Sequence, residues 1–174
     1  MQALAALAAF VASVVGHPVP VSCPSPSVWA SDAAVVADTA LYGFEPAAYT
    51  TLASPRVEIV LGPAACTYAS LLVTQPAPED PQAEFVEGQA LLLVLHESEH
   101  ALGFAGEADA ECRAVARFPD AMARLGVTGR HARGLAAGAL AYHRSMPAYY
   151  RTGCEQPDLA GADRAPQRAA IRAV

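Results

Sequence analysis

Residues Phe85–Gly103 read FVEGQALLLVLHESEHALG, and the middle of this stretch is apolar on almost every side of a helix. A helix that is hydrophobic all round lies in the interior of a protein, with other elements packed against each face. Polar residues return at His96, and the glycines Gly103 and Gly106 follow. The sequence therefore predicts a buried central helix that ends at these glycines and carries polar residues in its last turns.

Shorter elements are predicted on both sides of this helix. After it, Glu107–Arg117 has the pattern of an amphipathic helix that stops near Pro119, and another helix covers roughly Thr128–Ser145. Before it, β-branched residues alternate within 49–52 and 56–61, as in one or two short strands. We therefore expect a mainly α fold, of the α+β type, with one or two short strands.

Length and composition limit the class of protein. The 174 residues suit one domain, and a hydrophobic share of 53% with only 16% charged residues excludes a disordered chain. The formal net charge of −6 excludes the basic surface that nucleic-acid binding needs. No apolar run reaches the roughly 20 residues of a membrane-spanning helix. We expect a monomer that binds no nucleic acid and has no membrane span in its mature part.

The first sixteen residues, MQALAALAAFVASVVG, resemble the hydrophobic region of a secretory signal peptide that ends in small residues. The basic residues that usually precede such a region are missing, so either the true start lies upstream or the segment is an uncleaved anchor. A buried Ala-rich helix is a further interpretation. We expect a signal peptide or anchor at 1–16, a single domain at 17–155 and a loose polar tail at 156–174. The protein is then secreted or held at the cell surface.

Four cysteines lie far apart in the chain, at Cys23, Cys66, Cys112 and Cys154. No two form a CxxC pair, which excludes a zinc ribbon and a thioredoxin-type site. Scattered cysteines in even number behind an export signal are typical of disulfides. Of the three connectivities we favour Cys23 with Cys66 and Cys112 with Cys154, because each bridge would tie an irregular end of the chain to a helix. Four reduced core thiols are the alternative.

The motif His96-Glu97-Ser98-Glu99-His100 carries the chemistry of the central helix. Two histidines four residues apart on a helix are offset by roughly 40° and about 6 Å, so both imidazoles can contact one metal ion. Glu97 lies beside them and can polarise a metal-bound water. Imidazole and carboxylate ligands suit zinc, and a catalytic zinc keeps one position for water. The motif therefore predicts a Zn²⁺ site with His96 and His100 as ligands and Glu97 as the catalytic residue.

This HExxH pattern resembles that of the zincin metallopeptidases, and the segment HESEHALGFAGEADAEC is similar to small secreted bacterial proteins classed as zinc peptidases of unknown substrate. The resemblance implies a zincin-like helical domain and a zinc-dependent hydrolase, an exported metallopeptidase that acts on a peptide or protein. Glu97 would then be the general base and afterwards the proton donor. Glu99 departs from the family pattern, because the inner positions of the motif are normally uncharged.

A third protein ligand is expected after the motif. Gly106 stands where a metzincin would have His or Asp, whereas Glu107 and Glu111 resemble the Glu-x-x-x-Glu arrangement of the gluzincins. On one unbroken helix Glu107 would lie about 10.5 Å beyond His100, too far to share a zinc ion whose bonds are about 2 Å long. Gly103 and Gly106 must therefore reverse the chain by taking left-handed conformations.

After such a reversal Glu107 stands near His100 and is predicted as the third ligand. Glu111 lies one turn deeper, level with His96, where its carboxylate can accept the free ring N–H of a ligating histidine. A wider loop would exchange the two roles, so Glu111 is also the alternative ligand. If neither glutamate binds the metal, His143 is the next choice.

The remaining histidines and a tyrosine pair have simpler expected roles. We expect His143, His131 and His17 on the surface; for His143 the alternative is a group that supports a metal ligand or contacts the transition state. Tyr149 and Tyr150 are expected to pack as aromatic side chains, and the alternative is a phenol group offered to an oxyanion, as in some zincins.

The alternative to an enzyme is a non-catalytic secreted module in which a structural zinc stabilises the fold or mediates binding. Glu97 has no evident role in such a module. An edge strand and an open groove beside the motif favour the enzyme, and a site sealed by the proline-rich loop Thr74–Pro81 favours the module.

Overall fold

The computed structural model describes residues 2–42, 47–51 and 57–154. Within them the chain forms seven α-helices and three short β-strands, so the predicted mainly α fold with a small sheet is confirmed. In chain order the elements are α1 (Gln2–Val15), β1 (Val21–Ser22), α2 (Pro26–Ala30), α3 (Ala33–Tyr42), β2 (Ala48–Thr51), β3 (Glu58–Leu61), α4 (Pro63–Thr74), α5 (Pro81–Ala101), α6 (Glu107–Arg124) and α7 (Gly129–Ser145), followed by a 3₁₀ turn at Ala148–Arg151.

The three strands form one sheet in the order β1-β3-β2. Strand β1 pairs with β3 in parallel, and β2 pairs with β3 antiparallel, with Tyr49 opposite Val60. Both predicted strands are therefore present and pair with each other; the outer limits of the predictions, Leu52 and Arg56, lie outside the described residues. The two-residue strand β1 was not predicted, because two residues are too few to show an alternating pattern.

The predicted buried central helix is α5. Asp80 caps it by accepting a hydrogen bond from the backbone N–H of Gln82 (2.9 Å), and Pro81 occupies the first helical position. Every residue from 90 to 99 is buried. Helices α1, α4, α6 and α7 and strands β2 and β3 all pack against it. This placement explains the absence of a polar face in the apolar half of α5.

The contact between α5 and α7 is close because each helix presents a glycine to the backbone of the other. A Cβ atom on Gly88 would overlap the backbone of Leu135, and one on Gly138 would overlap the backbone of Phe85. Only glycine allows the two helices this separation. The helix that carries the HExxH motif is therefore part of a tightly packed helix pair.

Two buried glutamates on α5 form what we call the N-terminal cluster, which consists of Glu84, Glu87, Arg130 and His131. Arg130 Nη1 lies 3.1 Å from a carboxylate oxygen of Glu84, and His131 Nε2 lies 3.2 Å from one of Glu87. Both nitrogen partners come from the first turn of α7. His131 was predicted on the surface but is partly buried. It lies against Glu87, a glutamate for which the sequence pattern indicated no partner.

Helix α6 does not stop near Pro119, as the sequence predicted, but continues to Arg124. A proline inside a helix removes one hydrogen bond and costs about 3 kcal/mol. The buried stripe of α6 continues past it with helical spacing, which offsets that cost; its members are Ala110, Glu111, Ala114, Val115, Phe118, Ala121 and Met122.

The N-terminal segment forms α1, whose residues Leu7 and Val11 are buried in the same core as α5. The carbonyl of Val14 also accepts a hydrogen bond from Arg117 on α6 (3.2 Å). In this structure the segment is a buried helix, which is one of the interpretations of the sequence. Cleavage after residue 16 stays a prediction. None of the helices within the described ranges combines the length and hydropathy that crossing a bilayer requires.

Both favoured disulfides are present, so the predicted connectivity is confirmed. Cys23 is bonded to Cys66, with Cα atoms 5.9 Å apart, and ties the chain beside β1 to α4. Cys112 is bonded to Cys154, with Cα atoms 5.1 Å apart, and ties the chain after the 3₁₀ turn to α6. Such bonds are compatible with an extracellular protein.

Candidate metal centre

The two histidines of the motif lie in the last turns of α5 and approach each other as their spacing predicts. His96 Nε2 and His100 Nε2 are 3.0 Å apart. His96 is buried, and the side chain of His100 is 12% exposed. The two ring nitrogens therefore share one small volume at the edge of the core.

The turn after α5 reverses the chain through Gly103 alone. Gly103 has a φ of +98°, and the N–H groups of Gly103 and Phe104 bond to the carbonyls of His100 and Glu99, which is the Schellman arrangement of a helix end. Gly106 has a φ of −83° and caps α6 in an extended conformation, so its predicted left-handed conformation is wrong. One left-handed residue was enough, because the hairpin between α5 and α6 is tight.

This reversal brings Glu107 to the two histidines. Glu107 Oε2 lies 3.1 Å from His96 Nε2 and 3.4 Å from His100 Nε2. Glu107 is the first residue of α6, where the positive end of the helix dipole favours a carboxylate. Its side chain is 41% exposed, so the cluster is open to solvent on this side.

Both imidazoles are oriented by a hydrogen bond from their other nitrogen. His96 Nδ1 lies 3.0 Å from Glu111 Oε2, and His100 Nδ1 lies 2.7 Å from the carbonyl oxygen of Phe104. The guanidinium of Arg113 lies 3.6 Å above the Phe104 ring and holds this residue in place. Because Nδ1 is the donor in each ring, the lone pair of each neutral imidazole is on Nε2.

The three convergent atoms fit a metal ion. Donors at tetrahedral positions about 2.0–2.2 Å from zinc are separated by about 3.3–3.6 Å. The distance of 3.4 Å from Glu107 to His100 lies in this range, and the distances of 3.0 and 3.1 Å from His96 to His100 and Glu107 would lengthen by a few tenths of an ångström around a bound ion. Three acceptors this close repel one another unless a proton or a cation lies between them. Among the described residues this is the group of three or more His, Cys, Asp or Glu side chains that could hold a metal ion.

Without a metal ion, a proton takes this place. Burial lowers the pKa of His96, but the carboxylates of Glu107 and Glu111 outweigh burial and raise that pKa to about 10. For Glu107, burial acts in the opposite direction and raises the pKa. Hydrogen bonds from His100 and His96 outweigh burial and lower the pKa of Glu107 to about 2. A metal ion must therefore displace a proton from His96.

Glu97 lies on the side of the histidine pair that faces the sheet. It is buried, and its Oε2 accepts a hydrogen bond from the hydroxyl of Thr50 on β2 (2.8 Å). Burial raises the pKa of Glu97, and the nearby His96 partly opposes this shift. Thr50 was not predicted as a site residue, since no sequence signal connects a strand residue with a helix 47 positions away.

Glu99 lies on the opposite side of the histidine pair. At 100° per residue, Glu97 and Glu99 are each about 80° from the mean direction of His96 and His100, one on either side. Glu99 is fully buried and lies 2.8 Å from Arg117 Nε, the arginine that also bonds to α1. The carboxylate that departs from the family pattern is therefore paired with α6 and is not part of the convergent group.

Glu111 is level with His96, as predicted, and its second oxygen has a partner from α7. Glu111 Oε1 lies 2.7 Å from His143 Nδ1. His143, predicted on the surface, is only 6% exposed. The prediction was wrong because the pattern of α7 alone does not show that α6 places a buried carboxylate against this side chain.

A tyrosine covers the metal group from the 3₁₀ turn. The ring of Tyr150 lies 5.8 Å from the His96 ring and 4.7 Å from the ring of Tyr149. Burial, and next the charge of Glu107, raise the pKa of Tyr150. The disulfide Cys112–Cys154 fixes this turn to α6, so aromatic packing, the expected role, takes place beside the site.

No protein family model, curated protein or solved structure matches this chain. The resemblance to zincins therefore stays an expectation from the HExxH motif.

Proposed function

We propose that the protein is a zinc-dependent hydrolase, an exported metallopeptidase. The observation that carries the proposal is the convergence of His96 Nε2, His100 Nε2 and Glu107 Oε2, with a buried carboxylate, Glu97, in the same motif. Two imidazoles and one carboxylate are a ligand set of catalytic zinc, which leaves one position open. The exposure of Glu107 supports an open site, whereas structural zinc is enclosed by four protein ligands.

The residues of the chain have separate tasks in this reaction. Zinc, when bound, polarises the scissile carbonyl and lowers the pKa of a water molecule toward neutrality. Glu97 accepts the proton of the attacking water and then passes it to the leaving amine. Thr50 holds the Glu97 carboxylate in place, and burial raises the pKa of Glu97, which makes it a stronger base near neutral pH.

The experiment compares two variants that remove one carboxylate from either side of the same motif. Glu97→Gln should bind zinc with the affinity of the wild type and lose hydrolysis of fluorescein-labelled casein by several orders of magnitude. Glu99→Gln is the matched control, since its carboxylate is directed to Arg117, and should keep most of the activity. A Glu97→Gln variant with the full hydrolytic rate would contradict the mechanism. Zinc binding with no hydrolysis in the wild type would instead indicate the non-catalytic module.

The export part of the proposal is supported by the two disulfides. Thiol alkylation of unfolded, unreduced protein should label none of the four cysteines, and N-terminal sequencing of exported protein should start after residue 16. Labelling of all four cysteines, or recovery of the protein from the cytoplasm, would contradict export.

A further inference from the structure

We propose that His143 is a positioning residue of the metal centre, which acts on His96 through the carboxylate of Glu111. This inference rests on the metal site of the proposed function. His143 is on α7, a helix that contributes no atom to the convergent group, and its side chain lies within the core.

Glu111 lies in the core between two imidazoles. Its side chain is fully buried, and each of its carboxylate oxygens has one imidazole partner: Oε2 lies 3.0 Å from His96 Nδ1, and Oε1 lies 2.7 Å from His143 Nδ1. A buried carboxylate oxygen without a donor has lost its hydrogen bonds to water and gained none in return, which is unfavourable. Glu111 therefore depends on both imidazoles for its place in the core.

The direction of these hydrogen bonds follows from the chemistry of the carboxylate. A carboxylate only accepts, so both imidazoles donate from Nδ1. Donation from His96 Nδ1 leaves the lone pair on Nε2, the atom that faces His100 and Glu107. Without His143, the carboxylate of Glu111 is free to rotate toward another donor, and His96 loses the acceptor that fixes its tautomer and ring direction. Partners of this kind contribute 10- to 100-fold to metal affinity.

The hydrogen-bonded residues His96, Glu111 and His143 lie on three different helices. His96 is on α5, Glu111 on α6 and His143 on α7, so the hydrogen bonds fix the hairpin that carries Glu107 against the helix that carries the motif. A seventeen-residue helix with no ligand thus determines how well the other two bind the metal.

The test measures the zinc dissociation constant of the full chain by competition with a chromophoric chelator. His143→Leu, which fills the space and removes the donor, should weaken zinc binding by about 10-fold or more. His143→Asn should restore most of the affinity, because the amide nitrogen of Asn occupies about the place of Nδ1. His131→Leu is the matched control: it removes a partly buried histidine–glutamate pair of α7 with α5, away from the site, and should leave the affinity unchanged.

A double-mutant cycle separates this role from general support of the fold. In a Glu111→Ala background, His143→Leu should have no further effect on zinc affinity, since its effect passes through Glu111. Unchanged affinity in His143→Leu, no recovery in His143→Asn, or an undiminished effect in the Glu111→Ala background would each overturn the inference. Wild-type protein that does not bind zinc would overturn the proposed function and the inference with it.

Discussion

The two ends of α5 both bury glutamates against histidines, yet only one of them forms a candidate metal site. In the N-terminal cluster each carboxylate has its own nitrogen partner, Glu84 with Arg130 and Glu87 with His131. At the other end, Glu107 meets two ring nitrogens at once, and Glu111 occupies the remaining nitrogen of His96. A buried carboxylate with its own partner needs no further group, whereas three convergent acceptors need a proton or a cation between them. Convergence of lone pairs, rather than burial of charge, distinguishes the two ends.

Removal of a carboxylate from each end should give the largest difference. Glu107→Ala should weaken zinc binding by about 100- to 1,000-fold. Four ligands of structural zinc together contribute about 10–16 kcal/mol, so one ligand contributes about a quarter of that free energy. Glu87→Ala should leave the zinc dissociation constant unchanged. Chelator competition measures both. If Glu111→Ala loses zinc while Glu107→Ala binds normally, the two glutamates have exchanged roles.

The pH dependence of zinc binding gives the next largest effect. In the metal-free protein the pKa of His96 is raised to about 10, so the ring is protonated at neutral pH and zinc must displace that proton. Zinc affinity should therefore rise at least about 10-fold for each pH unit and at least about 100-fold between pH 6 and pH 8, because the pKa of His100 is raised as well and its proton adds to the slope. Titrations at several pH values measure the slope, and an affinity independent of pH would contradict a protonated His96.

The same pKa shift affects the metal-free fold. The pKa of His96 in the folded protein lies above the unfolded value of about 6.5. Protonation of His96 therefore stabilises the fold fully below pH 6.5, and this stabilisation is lost as the pH rises through about 10. Urea unfolding should show metal-free protein losing stability over that range, and zinc-loaded protein losing less.

A change at the N-terminal cluster should affect stability without affecting the metal centre. A Cβ atom on Gly134 would lie 2.6 Å from a carboxylate oxygen of Glu84. Gly134→Ala should lower the free energy of unfolding by about 1–3 kcal/mol, as overpacking does, with an unchanged zinc dissociation constant. Ala137→Ser, at an exposed position of α7, is the control and should change neither quantity. A large loss of zinc affinity in Gly134→Ala would show that the two ends are coupled.

The smallest effect is expected for the motif's second glutamate. Glu99→Gln should change zinc affinity by less than about threefold, because Glu99 is paired with Arg117 and lies outside the convergent group. A loss comparable with that of Glu107→Ala would place Glu99 in the metal site.

Local signals were enough to predict much of this protein. The apolar run before His96 predicted a buried helix, and the four-residue spacing predicted the approach of His96 to His100. Gly103 and Gly106 together predicted the reversal that brings Glu107 to them, although only Gly103 takes the left-handed conformation. Each of these features depends on helical geometry and on residues close in sequence, so each can be derived from the sequence before any tertiary contact is known.

Other features depended on the packing of distant segments. Thr50 meets Glu97 because the sheet lies against α5, and His143 is buried because α6 and α7 place it against Glu111. Pro119 does not end α6, since the core buries the residues beyond it. The sequence by itself determined the helix, the motif and the turn, which follow from backbone geometry within a few residues. Only the tertiary structure decided between the two predicted positions of Glu107 and Glu111 and brought His143 to Glu111 and Thr50 to Glu97, because these contacts depend on how the elements pack and not on backbone geometry within a few residues.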